Sequence, residues 1–377
     1  MILIGADFVP TKSNIELFRS GDGEALFGKE LLDLLNSADY RIFNLETPLC
    51  DKESPINKCG ANFIAPTNTV NGYRAANADL LTLANNHILD QGEQGIASTC
   101  KTLNENGISF VGVGDTPGEA AVPFLFSVKE KKIGVYACAE HEFSIVSENR
   151  MGANPFDPLE SLDHIAELKK QCDYLIVLYH GGKEYYRYPS PALQKVCRKL
   201  VEKGADLVVC QHSHCIGCEE KYLDGTIVYG QGNFLFDNSN KEMWQTGLLI
   251  GIDDDFDVKY FPFQKNGNTV RLAQGEKKAE ILASFDSRSR EITQKGFIES
   301  SFKEFSVKSV DAYLMALNGK KSVVFRALNK LSGYRLNGLV LRKYGSTERI
   351  KILNTVECES IREVLIEGIK RNNMNGE

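Results

Sequence analysis

Histidine is scarce in this chain, with six among 377 residues, and tryptophan occurs once. No apolar run approaches the ~18–20 residues needed to cross a bilayer, so no membrane span is expected. Positive charge is also in short supply: 44 Lys and Arg stand against 50 Asp and Glu, a formal net charge of −6. A nucleic-acid partner needs a concentrated basic footprint to displace counterions from phosphates, and that class is set aside. The opening Met1-Ile2-Leu3-Ile4-Gly5-Ala6-Asp7 has no basic start and meets an Asp too early for a secretory h-region. The expected setting is the cytoplasm, where ten cysteines read as reduced thiols rather than a disulfide framework. With 42% hydrophobic and 25% charged residues, the disordered and collagen-like classes fall away. The length suits two or three domains, or one large domain with an appendage.

What is present is an alternation of short β-rich runs with helical spacing. Candidate strands are Ile2–Gly5, Ile42–Leu45, Leu80–Ala84, Phe110–Val113, Ile133–Ala137, Tyr174–Tyr179, Leu207–Cys210 and Ile227–Tyr229. Between them Ile96, Thr99, Cys100 and Leu103 fall on one helical face, as do Leu193, Val196, Cys197, Leu200 and Val201, with Gly107 and Gly204 as C-terminal stops. This is the pattern of βαβ units around a mostly parallel sheet covered on both faces. Leu248–Ile252 and Val258–Phe263, joined through Asp253–Asp255, predict an antiparallel hairpin. From about 275 the chain turns charged and helix-favouring, with strand-like runs only at Leu339–Val340 and Ile350–Ile352. The expected division is 1–270 as the main domain and 275–377 as a mainly helical accessory region.

The chemistry lies just past the strand ends. The runs lead into Asp7, into Glu46, into Asn85-Asn86-His87, into His180, and into Gln211-His212-Ser213-His214. In an α/β sheet the carboxyl ends of the strands share one edge, where ligands bind. A single polar residue at a strand end is most often a turn or cap residue. Five such ends carrying Asp, Glu, Asn and His form the donor set that borderline first-row metals prefer. In an extended loop alternate side chains share a face, so His212 and His214 are both expected to reach a metal pair.

The set Gly5-Ala6-Asp7, Asn44-Leu45-Glu46-Thr47-Pro48, Ala84-Asn85-Asn86-His87 with Asp90, His180-Gly181-Gly182-Lys183-Glu184, His212-Ser213-His214 and Gly232-Asn233-Phe234 resembles the capsule-synthesis (CapA, poly-γ-glutamate biosynthesis) family. That family is a branch of the calcineurin-like metallophosphoesterases, and the resemblance covers about residues 1–265. It implies an α/β, calcineurin-like metallophosphatase sandwich of mixed, mainly parallel sheets flanked by helices, with the C-terminal helical appendage lying outside it. It further implies that Asp7, Glu46, Asn86, His180, His212 and His214 surround one or two divalent metal ions, Glu46 bridging, with Mn, Zn or Fe all suited to the donors. His87 takes the place of the histidine that protonates a leaving group or stabilises developing charge, and Asp90 would hold its tautomer. The implied activity is that of a metal-dependent hydrolase-like protein using activated water on a phosphoester or an anionic polymer. The broader superfamily opens with Asp-x-His, whereas Asp7-Phe8-Val9 has an apolar residue at the second ligand position. This keeps open a non-catalytic, metal-containing binding or assembly protein for surface polysaccharide or polyglutamate synthesis.

Around this set, Glu184 is a candidate to orient a ligand, and Lys183 or Arg187 to meet an anionic small-molecule or polymer substrate. His141, in Glu140-His141-Glu142, is a candidate rim residue, and Asn233 is expected near the site in a tight turn. His164 falls in a probable helix and reads as structural. Cys215 and Cys218 have half of a zinc-knuckle spacing with no second pair at matching distance, so packing thiols are expected. Gly230-Gln231-Gly232-Asn233 has no helix behind it to cradle a phosphate, and no Gly-x-Ser-x-Gly elbow occurs.

Overall fold

The computed structural model describes residues 1–237, 239–317 and 323–374. Strands β1 (Ile2–Asp7), β2 (Tyr40–Asn44), β3 (Leu80–Thr82) and β4 (Ser109–Val111) run parallel, each paired with the next. The expected strand at Phe110–Val113 breaks at Gly112, whose φ is 87° and where a Cβ would come within 2.6 Å of the Ala84 Cβ. Beyond that kink β5 (Val113–Gly114) pairs instead with β8 (Gly152–Ala153) in a two-stranded ribbon.

A second sheet is built from β6 (Phe124–Val128), β7 (Lys131–Ala139), β9 (Tyr174–His180), β10 (Leu207–Gln211), β11 (Glu219–Tyr222) and β12 (Gly225–Val228), in the order β11-β12-β10-β9-β7-β6. The chain then returns to the first sheet. β13 (Thr246–Ile252), β14 (Val258–Asn266) and β15 (Thr269–Leu272) add antiparallel beside β1, giving β15-β14-β13-β1-β2-β3-β4. The hairpin read from the sequence is β13–β14, with Ile252 opposite Val258.

Alternation along the strands decides which face each side chain covers. Ile2 and Ile4 of β1, Ile176 and Leu178 of β9, and Leu207 and Val209 of β10 share the core between the two sheets. Leu3 points the other way, into the core shared with the helix Gly23–Ser37 through Leu26, Leu31 and Leu35. Leu175 and Val177 likewise turn outward, under Cys197 and Leu200 of the helix Pro191–Glu202. That helix begins where the sequence allows it, with Pro191 at its start and the Ser190 hydroxyl accepting from Leu193 N at 3.1 Å. Gly107 and Gly204, at φ of 68° and 111°, supply the left-handed residue just past the two predicted helices. The result is a mixed α/β sandwich with helices on both outer faces.

The chain divides into two compact units, Met1–Glu299 and Ser300–Glu377. The first helix after the last strand, Gly275–Glu291, belongs to the first unit: Ile281 and Phe285 join the core between the sheets, and Arg288 donates to the Gly217 carbonyl at 2.7 Å. In the second unit the strand-like runs Leu339–Val340 and Ile350–Ile352 lie in the helices Asn337–Leu341 and Ser346–Glu357. One or two β-branched residues flanked by helix formers do not make a strand without a partner edge to pair with. Among the described residues no helix is long and apolar enough to cross a membrane.

Gly217 is a point of close backbone approach, since a Cβ there would lie 2.1 Å from the Tyr229 carbonyl oxygen. Gly217→Ala is expected to cost about 1–3 kcal/mol, read as a lower urea midpoint at unchanged m-value. A variant as stable as the native chain would show that the Tyr229 backbone yields.

Candidate metal centre

The carboxyl ends of both sheets meet. Asp7 ends β1 beside Asn44 at the end of β2, while His180 ends β9 between Ala139 of β7 and Gln211 of β10. Two buried amides hold the sheets in register beneath this edge. Gln231 Nε2 donates to the carbonyls of Ile4 (2.9 Å) and Leu248 (3.1 Å), and Gln211 Nε2 donates to Gly5 O (3.2 Å) and to Gln231 Oε1 (3.3 Å).

On that base the predicted donors form two groups. Glu46, His180 and His212 offer ligand atoms all within 4.8 Å of one another, and so do Asp7, Glu46 and His214. Glu46 belongs to both. His180 Nε2 lies 3.3 Å from Glu46 Oε1, 3.1 Å from Asn86 Oδ1 and 3.2 Å from His212 Nδ1. His214 Nδ1 lies 3.5 Å from Asp7 Oδ2 and 2.7 Å from Asn233 Oδ1. All six residues predicted as ligands are thus together.

The expected extended loop at His212-Ser213-His214 is replaced by a kinked one. Both histidines are left-handed, with φ of 83° and 53°. Such strain costs of order 1–3 kcal/mol per residue and collects at functional sites. The kinks, rather than strand-like alternation, direct the two imidazoles into different groups of donors.

The fit to a cation can be tested on the carboxylates. Glu46 and Asp7 are almost wholly buried, yet both Glu46 oxygens and Asp7 Oδ2 accept no hydrogen bond among the described residues. Buried carboxylate oxygens without donors are costly unless a positive charge faces them, and the N/O donor set suits a borderline divalent ion. Burial pushes the Asp7 carboxyl up, but His214, His180 and the Asn44 amide outweigh it and hold it below its ordinary value. Burial pulls His214 down, yet Asp7 and Glu46 raise it to about 9. His180 is raised against burial by Glu46 and Asp7. His212 goes the opposite way: burial, then the positive fields of His180, His214, His87 and Lys183, lower it well below its ordinary value. It is therefore the imidazole already neutral, as a ligand must be.

Beside this cluster stands His87. Its Nδ1 is 2.6 Å from Asp90 Oδ2, its ring stacks on Phe63 at 4.1 Å between centroids, and its amide donates to Asn85 Oδ1 at 3.1 Å. Three residues at this edge have no role in the sequence reading, and Lys58 does not figure in it at all. Asn44 Nδ2 donates to Asp7 Oδ1 at 2.7 Å and lies 3.3 Å from His180 Nδ1. Asn85 Nδ2 fixes Asn44 through its Oδ1 and also donates to the Leu45 carbonyl. Lys58 reaches Asp90 and His87 from a loop remote in sequence. Asn44 had a signal, its place at a strand end two residues before Glu46; Lys58 had none.

The rim candidates part company. Glu184 Oε1 lies 3.9 Å from His212 Nε2. Asn233 Nδ2 is buried with no acceptor among the described residues. Lys183 is close enough to lower His212. Arg187 turns away, donating to Ile216 O at 3.0 Å and pairing with Glu242 at 2.8 Å. His141 is exposed after β7, whereas its neighbour Glu140 accepts from Gly182 N at 3.0 Å. His164 Nδ1 lies 3.2 Å from Tyr136 Oη in the helix Ser161–Lys169. Val9 is fully buried, and Cys215 and Cys218 are buried thiols.

The bacterial capsule synthesis protein PGA_cap family model matches residues 3–238. Among curated proteins, a capsule biosynthesis protein CapA of Bacillus anthracis is 29% identical over 212 residues, 54% of this chain and 52% of that protein. A PGA biosynthesis protein CapA of Bacillus subtilis is 28% identical over 213 residues, 54% and 55% of the two chains. The chain thus spans about half the length of the curated relatives it matches. Among solved structures, a novel phosphatase of Mycoplasma pneumoniae superposes with a TM-score of 0.42 at 13% identity, covering 71% of this chain and 89% of that one.

Glu46→Gln alters the carboxylate common to both donor groups and is expected to weaken binding of Mn²⁺ or Zn²⁺ more than His212→Ala or His214→Ala, each of which depletes one. Titration calorimetry decides this, and equal losses would deny Glu46 a shared role. Because His214 holds its proton up to about pH 9 and must release it to ligate, metal affinity should climb with pH until about 9 and then level off. Affinity that stayed flat below that pH would mean His214 is already neutral.

Proposed function

The chain belongs to the bacterial capsule synthesis protein PGA_cap family, and on that premise we propose that it is a metal-dependent hydrolase-like protein of capsule or poly-γ-glutamate biosynthesis, acting on a phosphoester or an anionic polymer. The observation that carries this reading is Glu46 standing in both groups of buried donors, with neither of its oxygens accepting a hydrogen bond among the described residues. Asp7, Glu46, Asn86, His180, His212 and His214 would hold one or two divalent ions. Such an ion supplies a Lewis acid that polarises the substrate and makes water nucleophilic at neutral pH.

The chain's own residues do the rest. Asp90 accepts the Nδ1 proton of His87, which leaves Nε2 as the nitrogen that exchanges a proton with a substrate oxygen. Asn233 Nδ2 is a buried donor with no acceptor among the described residues, suited to a substrate oxygen at the His214 side. Glu184 orients His212, and Lys183 adds the positive field that draws in an anion. Asn44 and Asn85 keep Asp7 and His87 in place against the β2 edge. The same reading sets the work in the cytoplasm, in keeping with ten free thiols.

Val9 favours a second reading, because its buried apolar side chain stands where the broader superfamily has a ligand. In that case the metal would stabilise a binding or assembly surface rather than drive turnover.

Metal analysis followed by phosphodiester and phosphomonoester turnover with added Mn²⁺ separates the two. His87→Ala is expected to keep its metal and lose about 10²–10⁴-fold in kcat. Full metal content with no turnover in the native chain would favour the assembly role.

A further inference from the structure

Lys58 lies in the segment between β2 and the helix Val70–Ala75, yet its side chain is only 3% exposed. A lysine is seldom buried to that degree unless its ammonium is paired. Its Nζ sits against Asp90 Oδ1 and 3.2 Å from His87 Nδ1. The other Asp90 oxygen, Oδ2, accepts from Phe63 N at 2.6 Å and meets His87 Nδ1 at 2.6 Å. A carboxylate has no proton to give, so a contact that short places the proton on Nδ1. The Lys58 ammonium then lies alongside Nδ1 without donating to it.

Both Asp90 oxygens are therefore held by one segment: Lys58 fixes Oδ1 and the Phe63 amide fixes Oδ2. Phe63 adds its ring, lying at 24° to the His87 plane. The loop seizes the imidazole by its face and its carboxylate partner by both oxygens.

We infer that Lys58 is a positioning residue for His87, holding Asp90 so that Nδ1 keeps its proton and Nε2 is turned to the substrate; this rests on the hydrolytic reading of His87. Asp90 is wholly buried. Without the ammonium it is left as a buried anion with neutral donors only, and it must swing toward water. That movement releases Nδ1.

The test uses the full-length chain and compares Lys58→Met, Asp90→Asn and the double variant, with Lys58→Arg as the conservative control. Lys58→Met should lower the melting temperature, and adding Asp90→Asn should restore most of the loss because no buried anion remains. In zinc-loaded protein the ¹⁵N signals of the His87 ring, assigned with His87→Ala, should leave the Nδ1–H pattern in Lys58→Met and keep it in Lys58→Arg. With bis(p-nitrophenyl) phosphate and Mn²⁺, kcat should fall about ten- to a hundredfold while KM stays within about twofold. Additive stability losses, or an unchanged His87 pattern in Lys58→Met, would overturn the assignment. A native chain that hydrolyses no phosphoester would sink the hydrolytic reading alone, since the melting and NMR comparisons still decide what Lys58 does.

Discussion

Two carboxylates removed from water at one edge of the sandwich set the terms for everything around them. Asp7 and Glu46 come from the first sheet, and the imidazoles that face them, His180, His212 and His214, come from the second or from the loop behind it. Neither sheet alone neutralises its own charge. Burying an unpaired carboxylate is expensive enough to unfold a domain of ordinary stability, so the sheets must be docked with their strand ends level. Any cation that binds there also ties one sheet to the other, and its affinity adds directly to the stability of the fold.

The docking rests on two glutamine amides. Gln211 and Gln231 reach from the second sheet's side to the Ile4 and Gly5 carbonyls, just before the irregularity that turns Asp7 toward the site. Apolar side chains alone would let the sheets slide, since dispersion is not directional. A buried amide with fixed partners does not tolerate a shift of one residue. The apolar core supplies the bulk of the driving force, and the amides supply the register on which the donor distances depend.

How much of this the sequence discloses depends on the range of each interaction. Buried parallel strands announce themselves as continuous β-rich runs, and the polar residues just past their ends, Asp7, Glu46, Asn85-Asn86-His87, His180 and His212-Ser213-His214, were legible as one cluster, while the choice of six candidate ligands among them came from the family resemblance. The split at Gly112 was not, because it depends on how near Ala84 comes from another strand. The edge strands β11 and β15 are short and carry charge or threonine, which weakens the periodic signal. The left-handed histidines defeat a rule built on extended chain. Arg187 had the right charge and neighbourhood, but Ile216 and Glu242 claim it. Lys58 is the opposite case, a loop residue with no local pattern whose meaning appears only when Asp90 and His87 close on it.

β13 lies against β1, with Ile250 opposite Ile4, although the whole second sheet comes between them in the chain and the family model ends at residue 238. The earliest strand of this sandwich is thus among the last to acquire its neighbour. On a ribosome, β1 would wait unpaired on that side until the chain had been synthesised through the β13–β14 hairpin. Pairings so distant in sequence close late, and an unpaired, apolar strand edge in the interval is a place where another chain can add. Early release of a truncated product would therefore expose an unpaired strand edge in place of a finished sandwich.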